Sequence, residues 1–328
     1  MIPSPYLLFL ADKRSAKVAQ GLRYWRPEAC IGQLRSEDSK LDLGIPDMSV
    51  QEAAAAGAKT LIVGVANRGG RLSRSWTQIL LDALDAGLDL ASGLHDQLSK
   101  RRELVRRARD LGRSLHDVRV HARRYPLATG ADRPGKRCLA IGTDSSVGKM
   151  FTMLAMAREM HRQGRKATFR ATGQTGIFIA GEGAPLDALI GDFLSGAIEE
   201  LTPANHPDHW DLIEGQGSLH HPSYSNLTTA LLHGACPDAL ILCHEPTRTN
   251  LRGLRDLPPP SLEDSIDLAL RIGHVVNPRC RVAGISINTG KLPEDEAYDL
   301  VAKTEQRIGL PTADPLRHGA KRLIDALD

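Results

Sequence analysis

The residues best suited to chemistry form one run: Gly142, Thr143, Asp144, Ser145, Ser146, Val147, Gly148, Lys149 and Met150. It follows a short apolar stretch, residues 138–141, and precedes a segment with helical periodicity. A glycine-bounded loop between a strand and a helix points backbone N–H groups inward, sets the positive end of a helix behind them and adds one lysine charge. That combination holds a phosphate. Two details depart from the G-x-x-x-x-G-K-[ST] pattern of nucleotide-binding loops. The spacing from Gly142 to Gly148 is one residue longer, and Met150 stands where a serine or threonine would hold Mg²⁺. Thr152 is an imperfect substitute two positions on. Phosphate binding is expected here, and Mg²⁺ is not favoured.

Other expected strand exits carry polar side chains. Residues 170–176 hold Arg170, Thr172 and Gln174 among two glycines. A guanidinium there could grip a carboxylate through two parallel hydrogen bonds, or form a structural ion pair. Residues 214–221 set Glu214 before Gly215 and Gly217, followed by His220 and His221. Glu214 could bind metal, act as a base or cap the next turn, and a functional role is expected. The two histidines lack a third ligand at metal spacing and read as hydrogen-bonding loop residues rather than zinc ligands. No metal site is expected. Residues 244–248, with Arg248, and 288–291, with Lys291, complete the set.

These groups need a scaffold that brings strand ends together. Residues 1–135 read as a small α/β domain with strands over 6–10, 29–34, 60–65, 88–91 and 118–120 and helices over 50–56 and 76–86. Strands alternating with helices predict a parallel sheet covered on both faces. The loop at 66–70 is a ligand-binding loop or a plain turn, and in residues 93–96 His95 and Asp96 are a functional pair or Asp96 is a helix cap. Residues 125–136, with two prolines and two glycines, read as a linker. The second domain, residues 136–328, is expected to be a doubly wound sheet with strands over 138–141, 166–170, 211–214, 239–243 and 282–287. Helices are expected over 149–162, 186–201, 227–233, 261–272 and 294–308, with a last one from 316.

With 328 residues the chain is long enough for two such domains. Apolar content of 41% and charged content of 25% are those of a soluble globular protein. A net charge of +3 is too small to suggest a nucleic-acid or membrane surface. The run KRRELVRRA at residues 100–108 mixes signs at helical spacing and reads as a solvated helix face rather than an anion patch. Five scattered cysteines, none in a C-x-x-C pair, indicate neither a zinc ribbon nor a disulfide framework. The short apolar run 6–11 meets Asp12, Lys13 and Arg14, which is not a secretory pattern, and no segment approaches membrane-span length. A cytoplasmic homo-oligomer acting on small molecules is expected, without nucleic-acid or membrane partners.

The loop Gly142–Lys149 resembles the G-T-D-T-x-V-G-K loop of dethiobiotin synthetase, and residues 214–217 resemble that enzyme's E-G-A-G segment. Across nearly the whole chain the sequence more closely resembles the D-glutamate N-acetyltransferase family. The segments that carry this are residues 63–70, 93–96, the loop itself, 172–176, 214–218 and 312–315. The resemblance implies an N-terminal Rossmann-like domain, a C-terminal P-loop domain, and acetyl transfer from acetyl-CoA to the amino group of D-glutamate in amino-acid catabolism. It makes residues 142–150 the acetyl-CoA site and Glu214, Lys149 and Arg170 the catalytic candidates. Arg170, Thr172, Gln174, His220 and Arg248 become substrate-binding candidates. An ATP-dependent ligase or kinase like dethiobiotin synthetase, with Asp144 and Glu214 on Mg²⁺, is the alternative, and a nucleotide-binding regulator is a third.

Overall fold

The computed structural model describes every residue except 1, 12–15, 36–38, 40, 68 and 121–123. Asp12, Lys13 and Arg14, and the Arg68 of the loop at 66–70, therefore lie outside the described residues. Two compact units are present, Met1–Arg124 with Gln174–Ala188, and Tyr125–Gly173 with Leu189–Asp328. The return of residues 174–188 to the first unit has no counterpart in the division expected near residue 135.

The first unit is built on five parallel strands: β1 (Tyr6–Leu10), β2 (Cys30–Arg35), β3 (Thr60–Val63), β4 (Asp89–Ser92) and β5 (Leu115–Asp117). Their order is β2-β1-β3-β4-β5. Every residue of β1, YLLFL, is buried, as a central parallel strand covered on both faces requires. Helices α1 (Lys17–Trp25), α2 (Val50–Ala55), α3 (Thr77–Asp85) and α4 (Arg102–Leu111) link the strands. Ser49 and Glu52 form a reciprocal capping box that starts α2. Leu7, Phe9, Leu61, Val63, Leu80, Leu84, Leu90 and Leu104 share one core. The last strand sits at 115–117 rather than the expected 118–120, because Leu115 pairs with Leu90 and Asp117 accepts the N–H groups of Leu98 and Ser99. The apolar residue that suggested the later position, Val120, is in a turn and 45% exposed.

The second unit has six parallel strands: β6 (Lys136–Gly142), β7 (Ala167–Arg170), β8 (Trp210–Ile213), β9 (Ala239–His244), β10 (Arg281–Ile287) and β11 (Thr312–Ala313). The order is β11-β10-β9-β6-β8-β7. β6 is thus central, and the loop leaving it is flanked by the exits of β9 and β8. Helix α5 (Lys149–Arg162) follows that loop. Helix α6 (Gln174–Ala180) belongs to the first unit and puts Gln174 on a helix rather than in the expected loop. Its Ile177, Phe178 and Ile179 are buried, and Arg26 Nη1 donates to Ile179 O at 3.1 Å.

Further helices of the second unit are α7 (Leu194–Leu201), α8 (Ser225–Ala235), α9 (Leu262–Gly273), α10 (Glu294–Ile308) and α11 (Lys321–Asp325). The expected helix over 186–201 is broken into two short 3-10 turns and α7, with Ile190 70% exposed at the break. The last helix starts at Lys321, not at 316, because Asp314 Oδ1 accepts the N–H groups of Leu316 and Arg317 and closes a turn there. The expected linker over 125–136 is irregular until β6 begins and mostly exposed, with hydrogen bonds to the second unit. Glu199 accepts from Thr129 N at 2.9 Å and Gly130 N at 3.0 Å, and Arg133 Nη2 donates to Gly234 O at 2.9 Å.

Candidate functional site

The glycines of the β6 loop are set by contact. A Cβ on Gly142 would lie 2.8 Å from Val147 Cγ2 and 3.1 Å from Lys149 Nζ. Gly148 takes φ 113° and turns the chain into α5, which opens with no side-chain cap. The first-turn N–H groups of an uncapped helix face whatever occupies the loop. Lys149 is 6% exposed and donates to Asp144 O at 2.7 Å, folded into its own loop. Burial pushes its ammonium down to about 8.

Asp144, fully buried, organises the rim. Oδ1 accepts from Ser145 N at 2.6 Å, and Oδ2 accepts from Arg252 N at 2.7 Å and pairs with Arg248 Nη1. Arg248 also donates to Ser145 O at 2.7 Å and to Glu245 Oε2 at 3.3 Å. It straps the loop, and its described hydrogen bonds are to Asp144, Glu245 and the carbonyl oxygens of Ser145 and Ser146. Thr143 Oγ1 shares a hydrogen bond with His244 Nδ1 at 3.0 Å. Thr152 donates to Gly148 O at 3.1 Å and bonds Ser286 Oγ at 2.8 Å, inside the sheet. Its hydroxyl is thus taken up by Gly148 O and Ser286.

On the other side of β6 lies the β8 exit. A Cβ on Gly215 would lie 1.7 Å from Ala140 O and 2.8 Å from Lys149 Cδ, so only glycine lets this segment cross β6 beside the lysine stem. Gly217 has φ 64° and a Cβ there would lie 2.3 Å from Tyr224 O. Glu214, 4% exposed, accepts at Oε2 from Thr172 N at 2.8 Å and Gly173 N at 3.0 Å. A Cβ on Gly173 would come within 3.1 Å of Oε1 and 2.6 Å of Gln216 Nε2, so the bare glycine allows this close approach. Thr172, fully buried, donates to Glu214 O at 2.6 Å and accepts from Gln216 Nε2 at 3.1 Å. It supports Glu214 and is not exposed to a ligand.

Arg170 resolves to the structural alternative. Its Nε donates to Asp211 Oδ1 at 2.7 Å, the two side chains being 15% and 2% exposed. Thr168 pairs with Asp211 across β7 and β8, so Arg170 is a diagonal neighbour on the same face. Removing one partner of a buried pair leaves the other charge stranded, at about 3–5 kcal/mol. Arg170→Met should therefore lower the denaturation midpoint markedly, and adding Asp211→Asn should recover most of the loss. An unchanged midpoint for the single variant would reject the structural role.

His220 donates its backbone N–H to Ser218 Oγ at 3.3 Å, and its Nε2 is buried with no hydrogen-bond partner among the described residues. Burial pushes the imidazole below its ordinary value. His221 is tied at both nitrogens, to Arg252 O at 3.1 Å and Ser223 N at 3.1 Å, as a loop residue. Asp314, in the 312–315 segment, accepts from Thr289 N at 2.9 Å and Thr289 Oγ1 at 2.6 Å, and fixes the β10 exit.

In the first unit, Asn67 closes its turn through Arg71 N at 3.0 Å and Arg71 O at 2.8 Å. Gly70 is required because a Cβ would meet His95 N and Cδ2 at 2.6 Å. Asp96 accepts from Leu72 N at 3.1 Å and pairs with Arg101 at 3.6 Å, so it bridges two loops instead of capping a helix. Gln174 sits on Gly93. With its amide oriented to suit both neighbours it donates to Gly93 O at 2.5 Å and accepts from Arg119 Nη2 at 3.3 Å.

The P-loop domain of the domain of unknown function DUF1611 matches residues 126–324, and its Rossmann-like N-terminal domain matches residues 33–121. A protein from Tritonibacter scottomollicae named D-glutamate N-acetyltransferase is 57% identical over 330 residues, covering 100% of this chain and 99% of its own. The chain belongs to the D-glutamate N-acetyltransferase family. A second member so named, from Pseudoalteromonas sp, is 42% identical and covers 98% of each chain. A DUF1611 crystal structure from Anabaena variabilis superposes with a TM-score of 0.90 at 30% identity, covering 98% of this chain and 99% of its own. The Rossmann-like and P-loop domains expected from the sequence are those of the family, and the chain is an enzyme, an acyltransferase. Among the described residues of this family member no helix is long and apolar enough to cross a membrane.

The residues that sequence reasoning left unassigned are Arg252, Asp211 and His244. Arg252 Nη1 donates to Ser146 Oγ. Its signal was present as a second arginine four positions after Arg248.

Proposed function

We propose that this chain transfers the acetyl group of acetyl-CoA to the amino group of D-glutamate, in amino-acid catabolism. The observation that carries this is a phosphate cradle without its metal-holding hydroxyl. An uncapped helix and Lys149 meet in the loop and Arg248 straps it, while Met150 follows the lysine and Thr152 is bonded to Gly148 and Ser286. Such a loop suits gripping a pyrophosphate that is not cleaved. The names of the two relatives support the acceptor and the reaction.

The acceptor amine is mostly an ammonium at neutral pH and must lose a proton before it attacks the thioester carbonyl carbon. A C–N bond forms, the C–S bond breaks, and the nitrogen gives up a second proton as the CoA thiolate takes one up. Glu214 is the proposed base, its Oε2 held by the two amides of Thr172 and Gly173 at the β8 exit beside the loop. Such assistance contributes about 10²–10⁴ in rate. Backbone N–H groups are assigned to the developing oxyanion, because Lys149 serves the phosphates. Holding amine and thioester together supplies up to about 7–11 kcal/mol more. With Arg170 and Arg248 committed to Asp211 and Asp144, their expected grip on the two substrate carboxylates gives way to supporting roles.

The test is incubation with acetyl-CoA and D-glutamate in the absence of ATP. Release of free thiol dependent on D-glutamate is expected. Absence of thiol, with ADP formed when ATP and an acid or amine are supplied, would replace this reading by a ligase or kinase.

A further inference from the structure

We infer that Arg252 binds the 3′-phosphate of the acyl donor and makes the enzyme selective for CoA thioesters over those that lack this group. The inference rests on the acetyl-CoA reading above and adds a subsite to it.

The β9 exit sends two guanidinium groups to one loop, and their situations differ. Arg248 is enclosed by Asp144, Glu245 and the carbonyl oxygens of Ser145 and Ser146. At Arg252 the backbone is what is fixed, with N donating to Asp144 Oδ2 at 2.7 Å and O accepting from His221 Nε2 at 3.1 Å. Its side chain lies at the rim and donates to the hydroxyl of Ser146, an exposed residue with φ 57°. No carboxylate pairs with the Arg252 guanidinium among the described residues. Although the residue as a whole is exposed, partial burial of the guanidinium, and then the like charge of Arg248, push it below its ordinary value. A positive group in that position is improved by an anion.

CoA offers two kinds of phosphate. The pyrophosphate suits the interior of the loop, where N–H groups and the buried Lys149 converge. The 3′-phosphate is a separate monoester, strongly hydrated and suited to a rim. A guanidinium presents a planar fork that matches phosphate oxygens, and bonds between two charged groups are roughly twice as strong as those to a neutral acceptor. Exchange of the Ser146 hydroxyl for a phosphate monoester is thus a favourable change of acceptor for Arg252.

Acetyl-dephospho-CoA keeps the thioester and pyrophosphate and lacks only the 3′-phosphate. With D-glutamate as acceptor and thiol release as the readout, the wild type should show a KM for acetyl-CoA at least about tenfold below that for acetyl-dephospho-CoA, the range of one charged hydrogen bond. Arg252→Gln should erase the difference by raising only the acetyl-CoA KM, with kcat unchanged for both donors, and Arg252→Lys should retain part of it. Equal KM values in the wild type, or an equal rise for both donors in Arg252→Gln and Arg252→Lys, would overturn the assignment. A wild type that releases no thiol from acetyl-CoA would overturn the donor reading itself and this subsite with it.

Discussion

Replacing Lys149 by Met is expected to raise the KM for acetyl-CoA by about 10–100-fold, with a smaller effect on kcat. A hydrogen bond to a charged group contributes about 1.5–3 kcal/mol, and this ammonium is enclosed by the loop, at 6% exposure. The same residue predicts a pH dependence. Burial holds Lys149 at about 8 in the ligand-free protein. Below that pH it is charged and ready for a phosphate. Above it the neutral amine must take up a proton on binding, so CoA affinity should fall about tenfold for each pH unit over the interval between the free and bound values. For stability the sign is opposite. The folded lysine holds fewer protons than the unfolded one between about 8 and its ordinary value of 10.5, so the ligand-free protein gains stability as pH rises through that window. Calorimetric titration with CoA across this range checks the first effect, and Lys149→Arg, always charged, should flatten it. Affinity in the wild type that is level through the window would remove Lys149 from phosphate binding.

How much of this was legible depends on whether the physical demand was local. Gly142, Gly148, Gly215 and Gly217 each answer a steric or dihedral demand at their own position, and so the loop and the β8 exit were readable as motifs. Arg170 was not. Its alternatives differed only in whether a carboxylate comes within reach, and that carboxylate is Asp211, 41 residues away in sequence. It arrives because β7 lies next to β8, an adjacency that no periodicity reports. Arg252 was hidden for the same reason, since it meets the β6 loop only because β9 flanks β6. Residues 125–136 are mostly exposed and irregular ahead of β6. Prolines and glycines mark irregular backbone, and irregular backbone can be tied down, here by Glu199 and Gly234. Residues 174–176 read as the end of a loop because of Gly173 and Gly176, yet the buried run Ile177–Ile179 makes a helix worth forming in the first unit.

Glu214→Gln is expected to lower kcat by about 10²–10⁴ while leaving the KM for acetyl-CoA nearly unchanged. The substitution isolates the chemical role because the two bonds that hold Oε2 are ones it accepts. Oε2 receives Thr172 N and Gly173 N, and a glutamine carbonyl oxygen accepts the same two bonds. The side chain can therefore stay in place, close to its original shape, with the ability to take a proton removed. Glu214→Asp is the complementary variant, since it keeps a base but draws it back from Gly173. It should lower kcat less than Gln does and disturb stability more, as the shorter carboxylate reaches the two amides poorly. If Gln instead leaves kcat intact, Glu214 serves only to hold residues 172–173, and the proton must leave through another group. If both variants lower the denaturation midpoint equally and kcat follows stability, the role is structural. Measured together, kcat, KM and the midpoint separate the base from the brace.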